Sequence, residues 1–199
     1  MNKLTLIIHP FFFFKREIAW GDHYNSRCSL DFKSVCSSWH IQKAGFEEKA
    51  IETLETYKKG VEYAKDGLAI IYRSVPFDEN LEIEKQLFAY AQQCIPSSNL
   101  LFCIPLDKKE NGDEEGYDVI EREFIHHLGD SAPEVQLYGF GEDIGGCVPW
   151  LLDRVRRTYG IKKQPIVLTQ FSKHNPSVSL EERLKELRYR AEEFDLKVE

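Results

Sequence analysis

The chain has 199 residues, of which 42% are hydrophobic and 30% are charged, and its net charge at pH 7 is −7. These values predict a soluble protein with a single domain over residues 1–199 and a core of ordinary size. The acidic balance argues against a nucleic-acid partner, which usually needs a basic patch. The apolar run over residues 4–14 is too short to span a bilayer and lacks a signal-peptide pattern, so no membrane association is expected.

The cysteine content bears on the redox compartment. The chain has five cysteines, Cys28, Cys36, Cys94, Cys103 and Cys147. An odd number in a chain of this length does not indicate a disulfide framework, so we expect a cytoplasmic protein. We also expect a small-molecule ligand and no cofactor, and the sequence leaves open whether the chain forms a homo-oligomer.

The first predicted strand is the apolar run at residues 4–8, which is typical of a central strand in a parallel sheet because it lacks polar alternation. Four phenylalanines follow at residues 11–14, and they either pack in the core or line a pocket at the strand end. Residues 15–45 have no clear periodicity and predict a long irregular loop. We expect Phe12 and Trp20 to shape a pocket over the strand ends.

The irregular loop contains nitrogen and sulfur side chains of the kind that zinc binds tetrahedrally, namely His23, Cys28, Cys36 and His40. Their spacing matches none of the common zinc motifs, because no pair of cysteines is separated by two or four residues. We therefore assign no metal site, and the question whether these four residues bind a metal stays open.

Helices and strands then alternate. The pattern predicts a helix over 46–65, a strand over 68–72, a helix over 79–94, a strand over 100–104 and a helix over 117–128. Arg73 and Lys108 follow the second and third strands, at the edge of the sheet where ligands bind in α/β folds. We expect one of them to hold an anionic group of a substrate.

Residues 134–157 predict a short strand over 135–138, a glycine-rich turn and a helix. The turn contains Gly139, Gly141, Gly145 and Gly146, because glycine tolerates positive φ. Pro149 lies in the first turn of the helix, where its missing N–H costs nothing. Cys147 therefore lies at the mouth of the helix, where free N–H groups and the helix dipole favour a thiolate. A small buried cysteine packed at a tight turn is the alternative interpretation.

A fifth strand is predicted over residues 165–171, and a last helix over 180–194 begins with a capping box between Ser179 and Glu182. Five apolar strands that alternate with helices predict a three-layer α/β/α sandwich with a mainly parallel, Rossmann-like sheet. The glycine turn does not match the dinucleotide fingerprint G-x-G-x-x-G, and it follows the fourth strand instead of the first.

The interval from Gly141 to Cys147 and Val148, between a fourth strand and a helix, resembles the isochorismatase-like cysteine hydrolases. The order of elements is also similar over most of the chain, including the turn at Tyr159 and Gly160 and the strand that follows it. This resemblance implies an α/β sandwich that hydrolyses small molecules with a cysteine nucleophile.

The resemblance also implies roles for individual residues. Cys147 is the nucleophile, an aspartate at the end of the first strand takes its proton, and a lysine near the end of the third strand helps to hold charge. His9 stands in the place of the aspartate, Ile144 stands in the place of a threonine, and Lys108 matches the lysine loosely.

Two functions are compatible with these observations. The first is a hydrolase that cleaves an amide or acyl bond through a thioester at Cys147, with His9 as the base because a histidine pKa is near neutral. Backbone N–H groups around Gly146 and Cys147 then hold the oxyanion. The second is a non-catalytic protein that binds a ligand or a partner on the same scaffold, and the missing aspartate favours it.

Overall fold

The structure is a computed structural model that describes residues 2–11, 43–73, 82–103, 121, 123–125, 129–173 and 179–199. Within these residues the strands are β1 (Lys3–Ile8), β2 (Leu68–Tyr72), β3 (Leu100–Cys103), β4 (Gln136–Gly141), β5 (Ile166–Val167) and β6 (Lys197–Val198). The longer helices are α1 (Lys43–Ala64), α2 (Glu82–Cys94), α3 (Cys147–Thr158) and α4 (Leu180–Phe194). Short 3-10 helices occupy Ser97–Asn99, Gly129–Glu134 and Thr169–Phe171, and residues 121 and 123–125 are helical.

The strands form one sheet in the order β3-β2-β1-β4-β5-β6, and every neighbouring pair is parallel. Helices cover both faces of such a sheet, which explains why β1 and β2 are continuous apolar runs. The strand order is that of doubly wound, Rossmann-like folds. The predicted mainly parallel α/β sandwich is therefore confirmed, and within the described residues the sheet has six strands instead of the predicted five because β6 follows the last helix.

Apolar side chains fill both faces of the sheet, so the molecule has three layers. Leu54 of α1 and Leu87 of α2 belong to the buried cluster on one face. Leu152 of α3 and Leu187 of α4 belong to the cluster on the other face. Successive residues at the centre of β1 belong alternately to the two clusters, as expected for a strand whose side chains alternate between faces.

The neighbouring strands β1 and β4 send the chain to opposite faces of the sheet. The chain after β1 leads to α1 on one face, and the chain after β4 leads to α3 on the other. In open α/β sheets a crevice forms between the carboxyl ends of two such strands, and ligands bind there. We call this region, residues 8–11 and 141–147, the switch point.

Two strands differ from their predicted limits. β4 continues through Gly141 because its glycines pair with β1, with Gly139 opposite Leu6 and Gly141 opposite Ile8. β5 contains only two residues, whereas the prediction extended to residue 171. The chain leaves the strand because Thr169–Phe171 form a 3-10 helix, in which the Phe171 N–H donates to the Leu168 carbonyl oxygen at 3.3 Å.

The predicted capping box at the start of α4 is confirmed. The Glu182 N–H donates to Ser179 Oγ at 3.2 Å, and the Ser179 N–H donates to Glu182 Oε2 at 3.1 Å. Two backbone donors that the helix cannot satisfy by itself are therefore bonded.

Replacement of Ser179 by alanine is expected to lower the free energy of unfolding by about 1 kcal/mol, because the Glu182 N–H loses its acceptor. Urea denaturation monitored by circular dichroism measures the change. Ser98→Ala is the matched control, since the exposed Ser98 hydroxyl donates to the side chain of the neighbouring Asn99 at 3.1 Å and caps no helix of the described residues. Equal stability of the two variants would show that the cap contributes nothing.

Candidate functional site

The carboxyl ends of β1 and β4 form the floor of the candidate site. Ile8 pairs with Gly141, and His9 and Glu142 are the next residues on the two chains. The backbone ladder continues beyond the strands, because the Glu142 N–H donates to the Ile8 carbonyl oxygen at 2.9 Å and the His9 N–H donates to the Tyr72 carbonyl oxygen at 2.8 Å. The main chain at the switch point is therefore fixed by hydrogen bonds.

Unusual backbone conformations concentrate at the switch point. Among the described non-glycine residues, positive φ occurs at His9, Phe11, Asp143 and Asp195. The first three lie at the switch point, and Asp195 is the left-handed C-cap of α4. Because such conformations cost free energy and cluster at functional sites, they support this edge of the sheet as the site.

Cys147 is the first residue of α3, so the predicted position at the mouth of this helix is confirmed. Pro149 follows in the first turn, where its missing N–H leaves no intrahelical bond unmade. The Cys147 thiol is half-buried and packs against the apolar cluster beneath α3 and α4. The thiol therefore lies just beyond the carboxyl end of β4.

Asp143 contacts the start of α3 with both its main chain and its side chain. Its carbonyl oxygen accepts the N–H of Gly146 at 2.9 Å and the N–H of Val148 at 3.3 Å. A Cβ at Gly146 would come within 2.4 Å of Asp143 Oδ2, so the carboxylate fills the space where a side chain would lie. The Gly146 N–H, which was predicted to hold an oxyanion, is therefore bonded to Asp143 instead.

Arg183 reaches this turn from α4. Its Nη1 lies 3.3 Å from Asp143 Oδ1 and also contacts the carboxylate of Glu186. Only 13% of the Arg183 side chain is exposed, so solvent screens the ion pair with Asp143 less than it would at the surface. The helix α4 also packs closely on the turn, because a Cβ at Gly145 would lie 3.1 Å from Glu186 Oε2.

The pKa of the Cys147 thiol is raised from 9.0 to about 11, first by burial and then by the negative charge of Asp143. The positive charge of Arg183 and the N–H of Cys147 itself act in the opposite direction. The prediction of a favoured thiolate is therefore wrong, because desolvation and a nearby carboxylate outweigh the helix start. The Cys147 thiol is therefore mostly protonated at pH 7.

His9 and Arg73 differ in their relation to Cys147. His9 is half-buried at the end of β1, so it shares the switch point with Cys147. The Arg73 N–H donates to the Cys103 carbonyl oxygen at 3.0 Å, and its guanidinium carbon lies 5.6 Å from the ring centre of Phe88 in α2. Because α2 and α3 cover opposite faces of the sheet, this contact holds Arg73 on the side away from Cys147.

Glu142 is a buried acid that sequence reasoning missed. Its exposed fraction is 1%, and the Tyr57 hydroxyl of α1 donates to its Oε1 at 3.2 Å. Burial and the charge of Glu142 raise the pKa of Tyr57 well above its usual value, so Tyr57 stays protonated and can donate. Two consecutive acids directly after Gly141 are the sequence signal that could have pointed to Glu142 and Asp143.

Several predicted site residues lie outside the described part of the chain, namely Phe12, Trp20, Lys108, His23, Cys28, Cys36 and His40. Their roles stay predictions. Phe11 is described, and it is fully buried with its ring 5.4 Å from that of Tyr57 in an edge-to-face contact. For this one phenylalanine the core-packing interpretation is confirmed.

Within the described residues no group of three or more histidines, cysteines and acids is arranged to hold a metal ion. In the same part of the chain, no helix has both the length and the apolar character needed to cross a membrane. Comparisons with protein-family models, with curated proteins and with solved structures found no match. The resemblance to isochorismatase-like hydrolases therefore stays a prediction from the sequence.

Proposed function

We propose that the protein is a hydrolase that cleaves an amide or another acyl bond of a small molecule, with Cys147 as the nucleophile. The observation that carries the proposal is the half-buried thiol of Cys147 at the start of α3, within the switch point and on the same turn as the ion pair of Asp143 with Arg183. A thiol nucleophile needs an adjacent proton acceptor. The acidic and basic residues near Cys147 include Asp143, Arg183 and His9.

The main chain also supports this chemistry. The N–H of Cys147 stabilises charge on its own sulfur, so it lies close to where an acyl oxygen would sit once that sulfur is acylated. Backbone donors in such a position stabilise the oxyanion of acyl transfer. The helix dipole of α3 adds a positive potential at the same place.

A non-catalytic ligand-binding role is the second candidate, and the raised pKa of the Cys147 thiol favours it. A protonated, half-buried thiol is unreactive at neutral pH unless a base removes its proton. In that case the switch point would bind a small molecule without changing it. The two candidates differ in whether the thiol is acylated.

The hydrolase proposal predicts that Cys147→Ala lowers kcat/KM for hydrolysis by at least about 1000-fold, because the nucleophile is lost. The assay is a panel of small 4-nitrophenyl esters and nitroanilides, and mass spectrometry of quenched reactions should find the acyl group on the Cys147 peptide. Cys94→Ala is the control, since Cys94 lies in α2 and bonds to Glu62 at 3.4 Å. Full activity of Cys147→Ala, or no turnover by the unmodified protein, contradicts the proposal.

A further inference from the structure

We infer that, within the proposed hydrolase reaction on which this step rests, Asp143 held by Arg183 accepts the proton of the Cys147 thiol. This assignment gives the role of the base to Asp143 instead of His9. It also gives Arg183, a residue of α4, the role of a positioning residue. Neither Asp143 nor Arg183 was singled out by the sequence pattern.

The first support is the geometry of the turn. Asp143 has a φ of 62°, and this left-handed conformation lets its carbonyl oxygen bond to Gly146 and Val148 while its carboxylate lies against Gly146. The residue between these two is Cys147. The carbonyl oxygen of Asp143 is therefore bonded to N–H groups on both sides of the nucleophile, which fixes the backbone position from which its side chain extends.

The second support is the contact between the carboxylate and α4. Arg183 Nη1 lies 3.3 Å from Asp143 Oδ1, and Glu186 binds the same guanidinium. Since Oδ1 is turned towards Arg183, Oδ2 is the oxygen that lies beside Gly146. The ion pair keeps the carboxylate oriented and leaves one oxygen on the side of the helix start.

The third support is electrostatic. Within the part of the chain that the structure describes, the charged groups that act on the Cys147 thiol are Asp143, which raises its pKa, and Arg183, which lowers it. Glu186 faces the same turn but is paired with Arg183, and His9 lies at the end of the neighbouring strand. A carboxylate on the same turn as the nucleophile can accept the thiol proton directly or through one water molecule as the sulfur attacks.

The proton balance of the reaction is complete without an oxidant or a reductant. The S–H bond breaks as the S–C bond to the acyl carbon forms, and the proton passes to Asp143. The C–N or C–O bond to the leaving group then breaks, and Asp143 gives the proton to the departing amine or alcohol. A water molecule next attacks the thioester and gives one proton to Asp143. The C–S bond breaks, and that proton returns to the sulfur, so a carboxylic acid is released.

Asp143→Asn should move two measurements in opposite directions. Labelling of Cys147 by iodoacetamide, which reports the thiolate, should show an apparent pKa below that of the unmodified protein, because a neighbouring negative charge is gone. Acetylation of Cys147 by 4-nitrophenyl acetate at pH 7 should slow by at least about 100-fold, because the proton acceptor is gone. A merely structural role of Asp143 cannot produce this divergence.

Three further variants test the assignment. Asp143→Glu should restore part of the acetylation rate, and Arg183→Gln should slow acetylation while raising the apparent pKa of the thiol. Asp153→Asn makes the same change within α3, where Asp153 pairs with Arg157 at 2.8 Å, and both measurements should stay within about twofold of the unmodified protein.

Two results would overturn the assignment. One is acetylation of Asp143→Asn that accelerates in proportion to its thiolate, and the other is a 100-fold slower acetylation in His9→Gln but not in Asp143→Asn. Acetylation and turnover also separate the two proposals. Acetylation that depends on Asp143 without release of acetate keeps the proton acceptor and rejects the hydrolase, whereas full turnover by Asp143→Asn does the reverse.

Discussion

Replacement of Gly141 by alanine should lower the free energy of unfolding by more than about 3 kcal/mol. Gly141 has a φ of 144°, which residues with a side chain rarely adopt, and a Cβ there would lie 2.0 Å from the Ile8 carbonyl oxygen. That oxygen cannot withdraw easily, because it accepts the Glu142 N–H at 2.9 Å. Since small domains are stable by about 5–15 kcal/mol, urea denaturation should detect a large loss.

Gly160→Ala is the matched control for this prediction. Gly160 also has a positive φ, of 63°, but a Cβ there would meet no atom within 4 Å. The left-handed conformation alone should then cost about 1–2 kcal/mol. If the free energy of unfolding falls equally in the two variants, the close approach of β1 to Gly141 adds nothing to the cost of the substitution and the prediction is wrong.

Glu121→Gln should destabilise the protein by about 3–5 kcal/mol, because it breaks a buried ion pair. Glu121 is fully buried, and its carboxylate accepts hydrogen bonds from Tyr72 at 2.5 Å, Arg154 at 2.6 Å and Tyr159 at 2.8 Å. Glutamine keeps the shape of the side chain but loses the charge and replaces one accepting oxygen with a donor. The thermal midpoint, measured by calorimetry, should fall by several degrees.

The same substitution at an exposed pair provides the comparison. Glu134 pairs with Lys162 at 3.4 Å, and the two side chains are 65% and 72% exposed. Exposed pairs of this kind contribute less than about 1 kcal/mol, so Glu134→Gln should leave the midpoint almost unchanged. Similar losses in the two variants would contradict a special role for the Glu121 cluster, which joins the helical residues near Glu121 to α3 and β2.

The sequence predicted the elements whose signals are local. The apolar run at Leu68–Tyr72 and the capping box before α4 gave the limits of these elements directly. β6 was missed because its two residues are exposed and carry no apolar pattern, and it is defined only by pairing with β5. The early end of β5 was missed because the apolar run over residues 165–171 does not show that Thr169–Phe171 turn into a 3-10 helix.

The candidate site was predicted in part. Cys147 was placed correctly because a strand, a glycine turn and a helix follow one another within a short segment. Arg183 could not be found in this way, since its contact with Asp143 joins α4 to the turn before α3. The pKa of the Cys147 thiol was misjudged for the same reason, because burial and Asp143 act through packing that the sequence pattern does not contain.

The dependence of the Cys147 turn on α4 affects when the site is complete during synthesis. A chain grows from its amino end, so β1, β2, β3 and β4 leave the ribosome before α4. The ion pair between Asp143 and Arg183 cannot form until α4 has been made and has docked on α3. Until then a nascent chain carries Cys147 without the arginine that offsets the charge of the neighbouring carboxylate. The surroundings of the nucleophile are therefore complete only after α4 has docked.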